Sequence, residues 1–426
     1  MYGWKALLRH HLSHGRSLRN LSDDKASRLV GIDRSKLHSP HVKKTKAGAA
    51  ESMVAHLTQR IQYRNALTVA DYMRECLTNP HHGYYMKKEV FGRTGDFTTA
   101  PEISQVFGES LGIWILKTFA AITSVHKPKG FRIVELGPGR GTLMRDISRI
   151  IKSVTPTVFR NLEIQFMEVS PKLKEVQKAT MGAYAHESLG LHWFENLSQI
   201  PEPDGMATIY IAQEFFDALA VHQFQKTDKG WCERMIDVQV DPNGEFPFRY
   251  VLSRGATAAS TVYKALLPAG VEEVEISPDA YGIAQTLGSF IGASDGLGAC
   301  LVVDYGKLGP IEASLRAVKD HKIEPALLSP GEADLSVDVD FGLLSRGFRE
   351  GGGKHVDVHG PISQRELLHS LGGVEKAYML AESAESESQK AAVLKSYERL
   401  SSPDQMGDIY KAIAVTHSDV PTPVAF

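Results

Sequence analysis

The chain is short of cysteine, of long apolar runs and of net charge, and each shortage removes a class of protein. Cys76, Cys232 and Cys300 are the only three cysteines in 426 residues, and they stand far apart. An odd, sparse set without metal-ligand spacing argues against a disulfide framework and fits a reducing compartment. The apolar runs, such as residues 299–303 (ACLVV), have strand length and are too short to cross a bilayer. A net charge of −2 gives the whole chain no electrostatic reason to bind nucleic acid or to insert stably in a membrane. The 17 histidines are scattered, and no Ser or Cys sits in the context of a positioned base. What remains, 42% hydrophobic and 23% charged, is ordinary for a globular enzyme.

One local absence is informative. Residues 1–22 contain no Asp or Glu, yet they carry Lys5, Arg9, Arg16 and Arg19. Trp4, Leu7, Leu8 and Leu12 share a face at helical spacing. A basic, amphipathic, acid-free start is the pattern of a mitochondrial transit peptide, whereas a secretory signal needs an apolar block. Residues 23–55 are polar and basic, as a linker is. The expected division is therefore a leader and linker over 1–55 and one enzyme domain over 56–426. Within the latter, 60–125 is read as an N-terminal helical cap, 126–310 as the core and 311–426 as C-terminal additions.

From residue 56 onward, strands alternate with helices. Residues 66–77 predict a helix capped by Thr68, with Asp71 in its first turn. Residues 94–119 begin as a loop around Asp96 and become a helix with Pro101 in its first turn. Ile103, Phe107, Leu111 and Trp114 recur there on one face. Residues 131–151 read as strand, glycine turn and helix. Residues 162–170 and 206–219 give a second and a third strand, and 298–306 a buried one. Residues 221–240 read as a hairpin turning at Asp228–Gly230, and 409–415 as a late edge strand. Such alternation predicts a mostly parallel, doubly wound α/β sheet of the Rossmann type.

The strongest chemical signal is residues 134–143, VELGPGRGTL. Gly137, Gly139 and Gly141 turn a strand into a helix whose first N–H groups are unpaired. NAD sites use a similar turn. Here the last glycine comes one residue early for a dinucleotide, and Glu135 stands inside the strand. Both features favour the amino-acid end of S-adenosylmethionine over a pyrophosphate. Glu168, ending the second strand, can accept hydrogen bonds from both ribose hydroxyls, a role that would serve either nucleoside.

Further carboxylates follow at strand ends, where open α/β sheets bind ligands. Gln213 and Glu214 close the third strand, Gln213 being assigned to the donor side. Asp217 lies three residues on and shares a face with Glu214 if the stretch is helical. Phe215 or Phe216 is available to line an adenine pocket. Glu102 stands beside a Thr-Thr pair that also suits a helix cap. Asp304 ends the buried strand, and either meets substrate or only anchors the loop that follows it. Asp338 and Asp340 alternate as strand neighbours on one face, but with Asp334 they form no complete ligand set, so no metal is expected.

Taken together, residues 67–85, 95–114, 134–147, 167–173, 212–226, 301–306 and 331–341 resemble the MidA-type methyltransferases, with a weaker echo at 405–415. The pairing of GDFTTAPEISQVFGE with EFFDAL is more specific than the glycine loop alone. The resemblance implies an S-adenosylmethionine-dependent enzyme of the mitochondrial matrix. It further implies symmetric dimethylation of an arginine on a core subunit of respiratory complex I during assembly. Guanidinium is always protonated and a poor nucleophile, so paired carboxylates suit it. Glu214, Asp217 and Glu102 are the expected acceptor-side residues, with Glu135, Gly137, Gly139, Gly141, Glu168 and Gln213 on the donor side. The sequence departs from the family pattern at Ala220, where Pro is usual, and at Ala317 and Val318 in the loop over 314–322. Three alternatives stay open: the same fold acting on another substrate, an assembly chaperone without turnover, and an NAD-linked oxidoreductase.

Overall fold

A computed structural model describes residues 52–86, 98–241, 243–293 and 297–426. The expected transit peptide and Asp96 lie outside the described residues.

Eight strands make the central sheet among the described residues: β1 (Gly130–Leu136), β2 (Leu162–Met167), β3 (Gly190–Phe194), β4 (Met206–Gln213), β5 (Gly298–Lys307), β6 (Val356–Ser363), β7 (Tyr410–His417) and the two-residue Val339–Asp340, which pairs only with the end of β5. The spatial order of the first seven is β6-β7-β5-β4-β1-β2-β3. The five strands from β5 to β3 pair in parallel, while β7 runs antiparallel to both of its neighbours. The sheet is thus α/β and doubly wound, as the alternation predicts.

Two sequence expectations need correction here. Residues 409–415 do form a strand, but β7 is interior, covered by β6 on its outer side. Ala412, Ile413, Ala414 and Val415 are fully buried, which an edge strand does not require. In addition, the sheet does not end at residue 310, because β6 and β7 complete it from the C-terminal region. Strands β3 and β6 carried no sequence signal: GLHWF is short, and VDVHGPIS holds a mid-strand Pro with a bulge between His359 and Ile362.

Helices sandwich the sheet. On one face α1 (Gln105–Val125) packs on α2 (Thr142–Val154). Phe107, Leu111 and Trp114 of α1 meet Leu143, Ile147 and Ile151 of α2 in one core with β1 and β4. Each such fully buried side chain contributes roughly 1.5–3 kcal/mol. The expected single helix from Pro101 is broken at Ser104, which turns extended and caps α1 at the Val106 N–H (3.3 Å). By length and composition α1 could cross a membrane, contrary to the sequence reading. Its apolar face is instead spent on the protein core. After β2, α3 (Pro171–Met181) packs beside α2 on this same face, with Met181 in the shared core; on the other face, α4 (Pro278–Ile291) and α5 (Phe341–Gly352) pack closely.

The expected N-terminal cap over 60–125 splits into two parts. Helices Met53–Arg64 and Val69–Thr78 join a second core with strand Gly230–Val238 and the segment around Leu335. Thr68 caps the second of these helices at the Asp71 N–H (2.9 Å). The expected hairpin is present as His222–Thr227 paired with Gly230–Val238, and it belongs to a separate five-stranded sheet.

Candidate donor and acceptor site

The cleft opens at the carboxyl ends of β1, β2, β4 and β5, where an open α/β sheet leaves a crevice. Two adjoining cavities share Tyr85, Gly137, Gly139 and Glu214 in their walls. The larger holds Glu168, Asn196, Leu197 and Phe215, and is mostly apolar. The smaller holds Glu102, Glu135, Gln213 and Asp217.

The glycine turn shapes the first cavity. Gly137 has φ +65° and Gly139 φ +52°, a region that side chains rarely adopt. A Cβ on Gly139 would meet nothing within 4 Å, because it would project into the open cleft. A Cβ on Gly137 would strike the Phe215 ring at 2.8 Å. Glu135 is buried beneath the turn, and burial holds its carboxyl well above the usual range. Its Oε2 has no hydrogen-bond partner, so the site supplies an acceptor with nothing donated to it.

Glu168 sits one residue past β2. Its Oε1 accepts the Ser170 N–H (2.7 Å), and its Oε2 accepts from Gln177 Nε2 (3.1 Å). Each oxygen retains a further lone pair for a hydroxyl. Gln177 also donates to the Gly139 carbonyl (2.8 Å) and accepts from Trp193 Nε1 (2.8 Å). It therefore ties the glycine turn to the carboxylate. Sequence reasoning missed it. The available signal was a glutamine on the buried face of α3, in line with Leu173 and Met181.

The acceptor side is a carboxylate cluster. The stretch after β4 is a turn, so Glu214 and Asp217 are not brought together by a helical face as expected. Glu214 takes φ +48°, strained for a non-glycine residue. Asp304 accounts for this turn: its Oδ2 accepts the N–H groups of Phe215, Phe216 and Asp217 at 3.2, 3.0 and 3.3 Å. The anchoring expected of Asp304 for the loop that follows it falls instead on the turn after β4, 87 to 89 residues earlier. Phe216 packs inward and Phe215 lines the larger cavity.

Glu214 accepts from the Ala100 N–H (3.0 Å), from Tyr410 Oη (3.3 Å) and from Gln213 Nε2. Burial pushes its carboxyl up to about 8, with the Asp217 charge adding to the rise. Asp217 accepts from Tyr305 Oη, while its Oδ1 has no partner. Burial raises Asp217 as well, against the pull of Tyr305 and of the Arg316 guanidinium. Asp304 is held well above its usual range by burial and by both neighbouring carboxylates. Glu102 lines the smaller cavity but receives the Thr142 hydroxyl of α2. Tyr305 and Tyr410 were not foreseen, because each reaches its carboxylate from a distant strand.

Asp338 and Asp340 have separate partners. Asp338 pairs with Arg316 (2.7 Å), and Asp340 caps α5 at the Gly342 and Leu343 N–H groups. Among the described residues, His126, His417 and Asp419 lie close together, at the opposite end of the sheet from the cleft.

The residues present fit S-adenosylmethionine. Glu135 Oε2 offers an unused acceptor for its ammonium, the space over Gly139 admits its backbone, and Glu168 offers oxygens to ribose. Residues 110–362 match the family described as "Putative S-adenosyl-L-methionine-dependent methyltransferase". The chain is 37% identical over 407 residues to the Mus musculus protein named Protein arginine methyltransferase NDUFAF7, mitochondrial. That alignment covers 91% of this chain and 89% of the mouse protein. The Homo sapiens protein of the same name is 36% identical over 382 residues, with 85% and 83% covered. A COG1565 superfamily member from Burkholderia thailandensis, solved with S-adenosyl-homocysteine, superposes with a TM-score of 0.70. It is 23% identical and covers 88% of this chain and 93% of its own, a likeness that speaks for the fold.

Proposed function

The chain belongs to the S-adenosyl-L-methionine-dependent methyltransferase family matched over residues 110–362, and from that premise we propose that it methylates an arginine guanidinium on a protein. The observation that carries this reading is the acceptor pair of half-buried Glu214 and buried Asp217, with Asp217 Oδ1 unpartnered in the wall of the smaller cavity. A buried carboxylate oxygen without a donor is costly, and a guanidinium N–H satisfies it.

When bound, S-adenosylmethionine supplies an electrophilic methyl group on sulfur. The chain's own residues position its partners. Glu135 accepts from the ammonium, Glu168 from the ribose hydroxyls, and Phe215 lines the adenine side. Glu214 and Asp217 grip the guanidinium and aim one nitrogen at the methyl. Orientation of this kind supplies much of the rate of a displacement. A guanidinium docked beside Glu214 favours its ionised form, so the carboxyl releases its own proton to solvent on substrate binding and then takes the proton that the methylated nitrogen sheds, its proton affinity raised by burial. Glu102, tied to Thr142, holds the start of α2 beneath the site.

The finer proposal is symmetric dimethylation of an arginine on a core subunit of respiratory complex I, in the mitochondrial matrix. The mitochondrial names of the curated relatives and the basic, acid-free composition of residues 1–22 support the compartment. The resemblance to MidA-type enzymes supports the substrate. The test uses leaderless protein, methyl-labelled donor and partly assembled complex I, with mass-spectrometric mapping of the modified residue. Label on arginine in a core subunit is expected. Label elsewhere, or none with the donor bound, discards the substrate assignment.

A further inference from the structure

Past the carboxylates, the cleft continues outward. A groove of about 510 Å³ shares Tyr305, Val318 and Ser336 with the inner cavity, so the two adjoin across the side chain that holds Asp217. Its walls come from elements far apart: the end of β5, the hairpin Arg316–Glu324, and the approach to β7. Tyr305 and Tyr410 meet edge to face at 5.4 Å, and the Arg316 guanidinium lies 4.7 Å over the Tyr305 ring.

The lining is chemically uneven. Ile323 is 74% exposed and Ile409 55%, although both are branched aliphatic side chains. Lys307 and Arg399 are exposed cations that make no ion pair among the described residues. Arg316 is already neutralised by Asp338, and the charge of Lys307 also acts on Asp340, its neighbour across the strand pair; within the groove lining, Asp408 is the further acid beside Lys307 and Arg399. An open groove with an apolar lip and surplus positive charge favours a partner of complementary make-up.

We propose that this groove holds the polypeptide on either side of the target arginine and selects a segment whose flanking residues are apolar and acidic. The proposal rests on the arginine reading above and adds to it the class of sequence accepted. Apolar flanks cover Ile323 and Ile409, and an acidic flank meets Lys307 and Arg399. The arginine then passes Tyr305 and Tyr410 to reach Glu214 and Asp217.

The test is binding of fluorescein-labelled short peptides to protein saturated with S-adenosyl-homocysteine, read by anisotropy. One peptide has central Arg between Leu and Asp residues, a second has central Arg between Ser and Lys, and a third replaces Arg by Gln in the first. The Leu/Asp peptide is expected to bind roughly tenfold tighter than the Ser/Lys peptide. The double variant Lys307→Glu, Arg399→Glu should erase that preference with donor-product affinity unchanged, and Ile323→Ser should weaken it. Equal binding of both flanks, a preference untouched by the double variant, or no binding by any peptide overturns the proposal. A flank preference that survives while Arg and Gln peptides bind alike keeps the groove and sinks the arginine reading instead.

Discussion

The donor half of the cleft is assembled from one strand–turn–helix and the strand and helix that follow it, with Glu135, Gly139, Glu168 and Gln177 all within a short stretch of chain. The acceptor half draws on Ala100, Glu214, Asp217, Asp304, Tyr305 and Tyr410, which four separate segments deliver. The donor half presents mainly backbone and one free acceptor. The acceptor half concentrates two buried carboxylates and the half-buried Glu214 around a strained turn. A nucleoside with a fixed shape is met by local backbone geometry. A cation that must be gripped and deprotonated needs charges gathered from across the fold, and gathering them costs stability.

The contrast predicts that mutations in one half leave the other working. The largest expected effect is Glu214→Gln, which should lower methyl transfer by about 10²–10⁴-fold in a labelled-donor assay. Calorimetric affinity for S-adenosyl-homocysteine should stay as it was. If both fall together, the two halves are not separable. Next comes Gly139→Val, whose side chain would enter the open cleft; affinity for the same ligand should drop by roughly 100-fold. Normal binding by this variant would remove the donor from the glycine turn.

A smaller effect is expected for Gln177→Leu, which unties Gly139 from Glu168 and strands Trp193 Nε1. Donor-product affinity should weaken by about tenfold, and unfolding free energy should fall by about 1–3 kcal/mol. An unchanged affinity would show that the glutamine only fills space. The smallest effect concerns the cost of the carboxylate cluster. Burial raises Glu214 from 4.5 to about 8. Below the lower value, folded and unfolded chains both hold the proton, so Glu214 costs nothing. Between the two values the unfolded chain loses its proton and the folded chain keeps it, so stability falls as pH rises. Glu214→Gln should therefore melt a few degrees higher than the parent near pH 8. That advantage should vanish as pH approaches 4.5; a gap that is constant with pH would contradict the burial account.

The glycine turn, Glu135, Glu168 and the alternating sheet were readable in the sequence because their interactions run between neighbours along the chain or across one strand pair. The cap at Thr68 and the hairpin at residues 222–238 were readable for the same reason. Other features were decided only in three dimensions. The interior place of β7 depends on β6, whose broken pattern hides it. The Glu214 turn depends on Asp304, 87 to 89 residues away from its three donors. Tyr410 reaches Glu214 across a separation of 196 residues. Local sequence specifies conformations and ligands that one strand–turn–helix can satisfy alone. Long-range burial decides which distant carboxylates share a cavity, because their cost and proton affinity exist only once the sheet has closed around them.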